Sequence, residues 1–451
     1  MSENRFWVRF LPGVFHRRLD NRPGLQKIVS NTTWLFLEKA VHGAVGLLVM
    51  VFIGRYLGPE GFGLFNYSLS IVLIFTTVAS LGLDGIVVRD IVRRPDQRDV
   101  ILGSAFRMKL LAGLLALAAL AAAAFLFHAG QARLRSLILI IASGTIFRAF
   151  DVFDFWFQSQ VQAKFSVFAR GAAFLLISGV KIALVLTSAS LEAFAWATAA
   201  EAALAGAGLA TAFVGRERRF PVLGWNSRVA VDLLRDSWPL ILSGLIIIVF
   251  QKIDQLILGQ MKGFFDLGVY ASAQKLIETW NFLPIIILSS LYPAMVRFKM
   301  EGDARLNGFV RNILAGFFFA NLAAILFLGF FSNGIMRILF GGRYIGAAQP
   351  LFILSLGSIF LFSSAVRAQM FLIHNLTIYH TYAGLIGIAT LVGLNLLLIP
   401  RWGAAGAAAA NAASAFVSGY LTSFLFRPIR FIGRLQSGAF LFKVDSRAPR
   451  A

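Results

Sequence analysis

Apolar residues fall in long unbroken runs along this chain, without the one-faced or strictly alternating patterns of a soluble fold. Runs of about 18 or more mainly apolar residues recur from residue 30 to residue 426, separated by short polar breaks. A hydrocarbon core of ~30 Å takes about 20 residues of α-helix. No dyad alternation of the barrel kind is present, and open strands in lipid would leave their N–H and C=O groups unpaired. The pattern predicts an all-α polytopic membrane protein of twelve spans: 30–54, 62–88, 101–127, 134–158, 165–187, 192–214, 236–259, 266–296, 306–331, 347–373, 377–399 and 404–426. The first run is too long for the core of a signal peptide and lacks a small-residue cleavage site after it, so it reads as an uncleaved span. The longest internal polar stretch, 215–235, is too short for an extramembrane domain. The expected organisation is a basic tail (1–29), a six-helix bundle (30–214), a linker (215–235), a second six-helix bundle (236–426) and a basic tail (427–451).

Charge adds sidedness. Only 14% of the 451 residues are charged, against about a quarter in a soluble domain, yet the net charge is +21. In a soluble chain that excess would point to nucleic acid. Here the odd-numbered loops hold only Arg55, Arg133, Arg135, Lys262, Arg337, Arg343 and Arg401, whereas the tails and even-numbered loops are rich in arginine. The positive-inside rule then places both termini in the cytoplasm, and no nucleic acid is needed. The chain has no cysteine, which excludes thiolate and disulfide chemistry. It also has no Gly-x4-Gly-Lys-Ser/Thr loop to hold nucleotide phosphates, so transport would draw on an ion gradient or the membrane potential. No cofactor, metal or catalytic set is expected. Asp151-x2-Asp154 reads as a polar helix end, not a metal-binding pair.

The two halves resemble each other. Gly54-x3-Gly58-x4-Gly63-Leu-Phe65 follows the first span, and Gly259-x3-Gly263-x4-Gly268-Val-Tyr270 follows the seventh, at a constant offset of 205 residues. A second echo pairs Arg107–Gly113 with Arg311–Gly316. Six spans per repeat give both halves the same orientation, an arrangement used by transporters with a site between two bundles.

A charge near the middle of a span costs ~2.5–3.5 kcal/mol on insertion scales, so each needs a partner or a wet cavity. The cations singled out inside the spans are Lys39, Arg107, Lys109, Arg148, Lys181, Lys252, Lys275 and Arg367, and the acids singled out are Glu38, Asp84, Asp151, Asp154, Glu201, Asp254 and Glu278. Arg107 and Lys109 sit close enough to a helix end to snorkel. Arg148 with Asp151, and Lys275 with Glu278, are three apart and can neutralise each other or contact substrate. Lys252 and Asp254 point to different faces, and each needs another partner. Lys181 and Arg367 have no acid within a turn of their own helix, which makes them the best candidates to line a hydrated cavity. Lys39, His42, Gly43 and Gly46 share one face of the first span, suited to a polar pocket, unless Glu38 pairs with His42. The candidate cationic lining is therefore Lys39, Arg148, Lys181, Lys252, Lys275 and Arg367, with Glu38 and His42 as titratable groups for ion coupling. Pro239, Pro284 and Pro293 are candidate kinks in spans seven and eight.

Particular stretches carry a family likeness. Asn31-Thr-Thr-Trp-Leu35, Gly54-Arg-Tyr-Leu-Gly-Pro-Glu-Gly-Phe-Gly-Leu-Phe65, Gly82-Leu-Asp-Gly85 with Arg89, and Asp154-Phe-Trp-Phe-Gln158 resemble the oligosaccharide flippase (Wzx/RfbX-type) family of the multidrug/oligosaccharidyl-lipid/polysaccharide exporter superfamily. Ser159 departs from the glycine usual after the last stretch. The resemblance implies a multi-pass protein of the bacterial inner membrane that flips an undecaprenyl-pyrophosphate-linked oligosaccharide outward for O-antigen, capsule or exopolysaccharide assembly. Its partners would be that lipid-linked sugar, membrane lipids, a polysaccharide polymerase and a chain-length regulator. Lipid II flippases usually have fourteen spans, and this chain has room for twelve. Two other functions compete. A multidrug cation antiporter of the same superfamily would want an acid-dominated cavity. A membrane polymerase or glycosyltransferase would want a large outer loop, and the longest odd-numbered loop here, 332–346, is short. The chain therefore reads as a transporter and not an enzyme.

Overall fold

The computed structural model describes residues 23–217 and 224–440. The basic residues up to Arg22, Arg218 and Arg219 of the linker, the end of the C-terminal tail, and the side chains of Asn31, Thr32 and Thr33 lie outside the described residues. All regular structure among them is helical: α1 (Pro23–Ala79), α2 (Asp84–Arg93), α3 (Arg98–Phe127), α4 (Ala132–Ser143), α5 (Asp151–Ser159), α6 (Ala163–Leu186), α7 (Leu191–Glu217), α8 (Ser227–Lys262), α9 (Phe264–Trp280), α10 (Leu283–Glu301), α11 (Asp303–Leu339), α12 (Ala348–Ile373), α13 (Ile378–Phe416), α14 (Thr422–Leu425) and α15 (Arg430–Phe440).

Ten stretches are long and apolar enough to cross a membrane. Two of them, Leu37–Arg93 and Ile378–Leu425, run for 57 and 48 residues, far beyond one crossing. Each is broken by a glycine in a conformation closed to most side chains: Gly58 (φ 68°, ψ 173°) and Gly403 (φ 53°, ψ −128°). Each of these two stretches is long enough for two crossings.

Several expected spans are broken where the apolar pattern runs on without a break. The second, 62–88, stops at Ala79; Leu81 and Gly82 turn through positive φ, and α2 begins at Asp84. The fourth, 134–158, is α4, a 3-10 segment (Gly144–Phe150) and α5. The eighth breaks before Leu283, with Pro284 in the first turn of α10, where its missing N–H costs nothing. Pro239, expected near a helix start, lies well inside α8, because that helix begins at Ser227.

By packing, the chain forms two units. Among the described residues, the first holds those up to Val49 with those between Val72 and Leu245; the second holds Met50–Ile71 with those from Ile246 on. The first unit buries an aromatic core that includes Phe153, Phe155, Trp156, Phe157 and Phe213. The Trp156 ring lies 4.9 Å from Phe157 and 5.0 Å from Phe213, so the aromatic stretch of α5 is core. The second unit buries Leu288, Met295, Phe298, Phe362, Val366, Phe371 and Ile432, the last from α15, where the sequence suggested only a tail.

The paired glycines meet inside the second unit. Gly263 (φ 88°, ψ −179°) repeats the backbone of Gly58 205 residues earlier. A Cβ on Gly63 would lie 1.8 Å from the carbonyl oxygen of Phe264, and one on Gly268 would lie 1.8 Å from that of Pro59. Both contacting pairs are related by the same offset, so the approach is reciprocal. The second echo is not repeated in packing: a Cβ on Gly113 would meet Thr145 at 3.3 Å, whereas Gly316 has nothing within 4 Å.

Candidate functional site: charges at membrane depth

In the first unit the charges collect around the start of α5. Arg170, about two turns into α6, bridges Asp151 (3.2 Å) and Asp154 (2.8 Å) through one guanidinium nitrogen. The Lys109 Nζ stands 3.6 Å from the other oxygen of Asp151 and 4.8 Å from the Phe155 ring centroid. Gln158 Nε2 donates to Asp154 at 2.9 Å. The side chains of Lys109 and Asp154 are 2% and 4% exposed, so both are compensated within a nearly closed interior. Lys109 therefore does not snorkel as expected. Arg107 remains exposed, with its guanidinium 5.9 Å from the Trp225 ring.

Arg170 lies inside the fifth expected span, 165–187, but is not among the cations singled out from the sequence, yet it organises this cluster. Its signal was direct: a cation within a span, one helix after two carboxylates three apart that need one. The expected Arg148–Asp151 pair does not form. It presumed α-helical spacing, but Arg148 lies in the 3-10 segment, is exposed, and makes no ion pair among the described residues.

On α1, the His42 ring bonds the backbone carbonyl of Glu38 (3.2 Å) and not its carboxylate, and stacks on Phe174 at 3.8 Å. The Phe174 ring also approaches Gly46, where a Cβ would lie 3.8 Å from it. Phe174 thus occupies part of the face expected to be a polar pocket. Glu38 is half-buried, within electrostatic reach of Arg170. Lys39 is exposed and, among the described residues, unpaired.

The remaining candidates have partners on other helices. Lys181 of α6 pairs with Glu201 of α7 at 2.9 Å. In the second unit, Glu278 sits between Lys252 (3.0 Å) and Lys275 (3.5 Å), so the i,i+3 pair expected there is present and shared. Asp254, with no solvent exposure, accepts from Tyr270 Oη, from Asn411 Nδ2 (3.0 Å) and from the Gln255 amide (2.7 Å). Arg367 is 2% exposed; Nη1 donates to Thr422 Oγ1 (2.8 Å) and Ser423 Oγ (3.0 Å), and Nη2 to the Ser418 carbonyl (2.5 Å). Lys181 and Arg367 thus lose the free status inferred from their own helices, because their partners lie on neighbouring ones. Lys39 and Arg148 alone among the six candidates are both exposed and unpaired.

Comparison with known proteins places this arrangement. The profile of the polysaccharide biosynthesis protein family matches residues 28–299, well over half of the chain. Among solved structures, the chain is similar to the lipid II flippase MurJ in an inward closed conformation, at 14% identity and a TM-score of 0.71, covering 92% of this chain and 91% of that one. It is also similar to an inward-facing multidrug resistance MATE family transporter of the MOP superfamily (16% identity, TM-score 0.64, 87% and 95% covered) and to an outward-facing one (17%, 0.56, 91% and 96%). At these identities the likeness is one of fold. No curated protein matches the sequence. The family match spans the Gly54–Phe65 and Asp154–Gln158 stretches, the reciprocal glycine contact and the Arg170 cluster: the chain belongs to the polysaccharide biosynthesis protein family and has the fold of flippases and transporters.

Proposed function

We propose that this protein carries an undecaprenyl-pyrophosphate-linked oligosaccharide from the cytoplasmic to the periplasmic leaflet of a bacterial inner membrane, by alternating access, for assembly of O-antigen, capsule or exopolysaccharide. The observation that supports this best is the pair of exposed cations, Lys39 and Arg148, that form no ion pair among the described residues and lie within apolar, membrane-length stretches of the first unit. Left in hydrocarbon, each would cost ~2.5–3.5 kcal/mol. A hydrated path that carries a diphosphate offsets that cost, since a lysine is a point charge and an arginine fork fits two phosphate oxygens. The polyprenyl tail stays in lipid, where it costs nothing to solvate. A polymerase and a chain-length regulator would take the product onward. Ion coupling in this reading falls to Glu38, because His42 is held by backbone and by Phe174.

In proteoliposomes, Lys39→Gln combined with Arg148→Gln is expected to lower outward delivery of lipid-linked sugar by about tenfold or more, the scale of a lost charge-assisted contact, with thermal stability unchanged. Unchanged delivery would refute the assignment. A second reading has one observation behind it: four carboxylates, Glu38, Asp84, Asp151 and Asp154, gather within electrostatic reach of Arg170. Such a concentration of acids suits export of cationic compounds. Efflux of a cationic dye that survives the double substitution and fails in Glu38→Gln would favour it.

A further inference from the structure

The last span does not run as a plain α-helix. Between α13 and α14 lies a five-residue π-helical turn, Val417–Leu421. A π turn shifts the backbone register and leaves carbonyls without their usual amide partners, and such turns inside α-helices often mark functional sites. Two side chains from other helices take up carbonyls of this turn. Arg367 of α12 donates to Ser418 O. Gln436 of α15, with no solvent exposure, donates to Gly419 O at 3.0 Å and to Ser363 Oγ at 2.9 Å. Tyr420 Oη and Ser437 Oγ add a contact of 2.8 Å between the turn and α15. Gly419 has no slack on its other side, since a Cβ there would lie 2.6 Å from Phe360 O. The helix α15 is thus fastened to the one irregular turn of the span.

Its outer edge is cationic. Arg430 and Arg434, four apart on one face, and Arg427 in the turn before them are exposed, and none forms an ion pair among the described residues. Arg430 is aimed by a bond from Nε to Phe424 O (2.9 Å). Between Asp303 and Asp445 the chain contains no carboxylate side chain at all. No acid from this stretch can neutralise the three guanidinium groups. Beside a membrane span, the complementary charge in reach is the phosphate of an anionic lipid, whose attraction is about 1 kcal/mol per basic residue.

We propose that Arg427, Arg430 and Arg434 seat anionic phospholipid headgroups, and that the buried bonds of Gln436 pass this occupancy to the π turn of the last span. The occupant is a bulk membrane lipid, whatever cargo the protein transports. Lipid at the arginine edge holds α15 in place, and α15 holds the Gly419 carbonyl; without the lipid the turn opens more often. Seat and turn form two sites coupled through one packed element, which is what allosteric coupling requires.

The test uses the full chain in nanodiscs of phosphatidylcholine, with and without phosphatidylglycerol, and follows hydrogen exchange across residues 417–425. Phosphatidylglycerol is expected to slow exchange there by about tenfold in the wild type, an effect weakened by salt. The triple variant Arg427→Gln, Arg430→Gln, Arg434→Gln is expected to lose the slowing. Gln436→Met is expected to retain bound phosphatidylglycerol by native mass spectrometry but to lose the slowing. Absence of any lipid effect in the wild type, or slowing of equal size in either variant, overturns the proposal. The triple substitution touches exposed positions only, so its result decides even where Gln436→Met fails to fold.

Discussion

Arg170→Leu is expected to leave little folded protein to extract from the membrane, and what remains should melt far below the wild type in detergent. The reason is the environment of Asp154. Its side chain is 4% exposed, and Arg170 at 2.8 Å is the only cation paired with it among the described residues. Removing one partner of a buried pair costs about 3–5 kcal/mol, because the remaining charge is stranded. Gln158 supplies a single neutral donor, which does not replace a full charge. Asp151 suffers less, since Lys109 stays 3.6 Å away. Two companion variants separate this cause from lost packing. Arg170→Lys keeps the charge but not the planar fork, and should fall between wild type and leucine. Arg170→Leu with Asp154→Asn removes the stranded charge together with its partner and should recover a large part of the loss, giving a clear coupling energy in the double-mutant cycle. Fluorescence-detected size exclusion after a heat step measures all three. If Arg170→Leu lies within about 1 kcal/mol of the wild type, the cluster is not the keystone described here.

Gly268→Ala is expected to be at least as damaging, for a steric reason. The added methyl would lie 1.8 Å from the Pro59 carbonyl oxygen and 2.6 Å from its carbon. These are backbone atoms, so no rotamer change relieves the clash, and the second unit must separate along this seam. Overpacking a core costs about 1–3 kcal/mol where side chains can yield, and more is expected where they cannot. Gly63→Ala should behave alike, since its methyl would lie 1.8 Å from Phe264 O. Gly316→Ala is the control: nothing lies within 4 Å of it, and alanine is the better helix former. A Gly268→Ala protein as stable as Gly316→Ala would show that the close approach is not required.

Both predictions concern residues whose meaning differs between sequence and fold. The glycines were visible as a repeated spacing, and their matched conformations at Gly58 and Gly263 follow from it. Their contact with each other was not visible, because it joins segments about 200 residues apart. The charges are the reverse case. Every one lies in plain view in the sequence, yet spacing along one helix exposes only partners three or four residues away. Lys275–Glu278 was found that way. Lys181–Glu201, Lys252–Glu278 and the Arg170 bridge were not, because each crosses between helices. Arg148 misled for a further reason: its segment winds as a 3-10 helix, which no hydropathy pattern signals.

Sequence by itself determined the helical membrane class, because a bilayer demands internally satisfied backbone over a set length, and that demand is met locally by runs of apolar residues; the family was legible in short motifs such as Gly54–Phe65. Tertiary structure alone decided which cations remain available. Whether a charge at membrane depth is spent or free depends on the side chain facing it from the next helix, and helix-to-helix register is a property of packing, not of any one span.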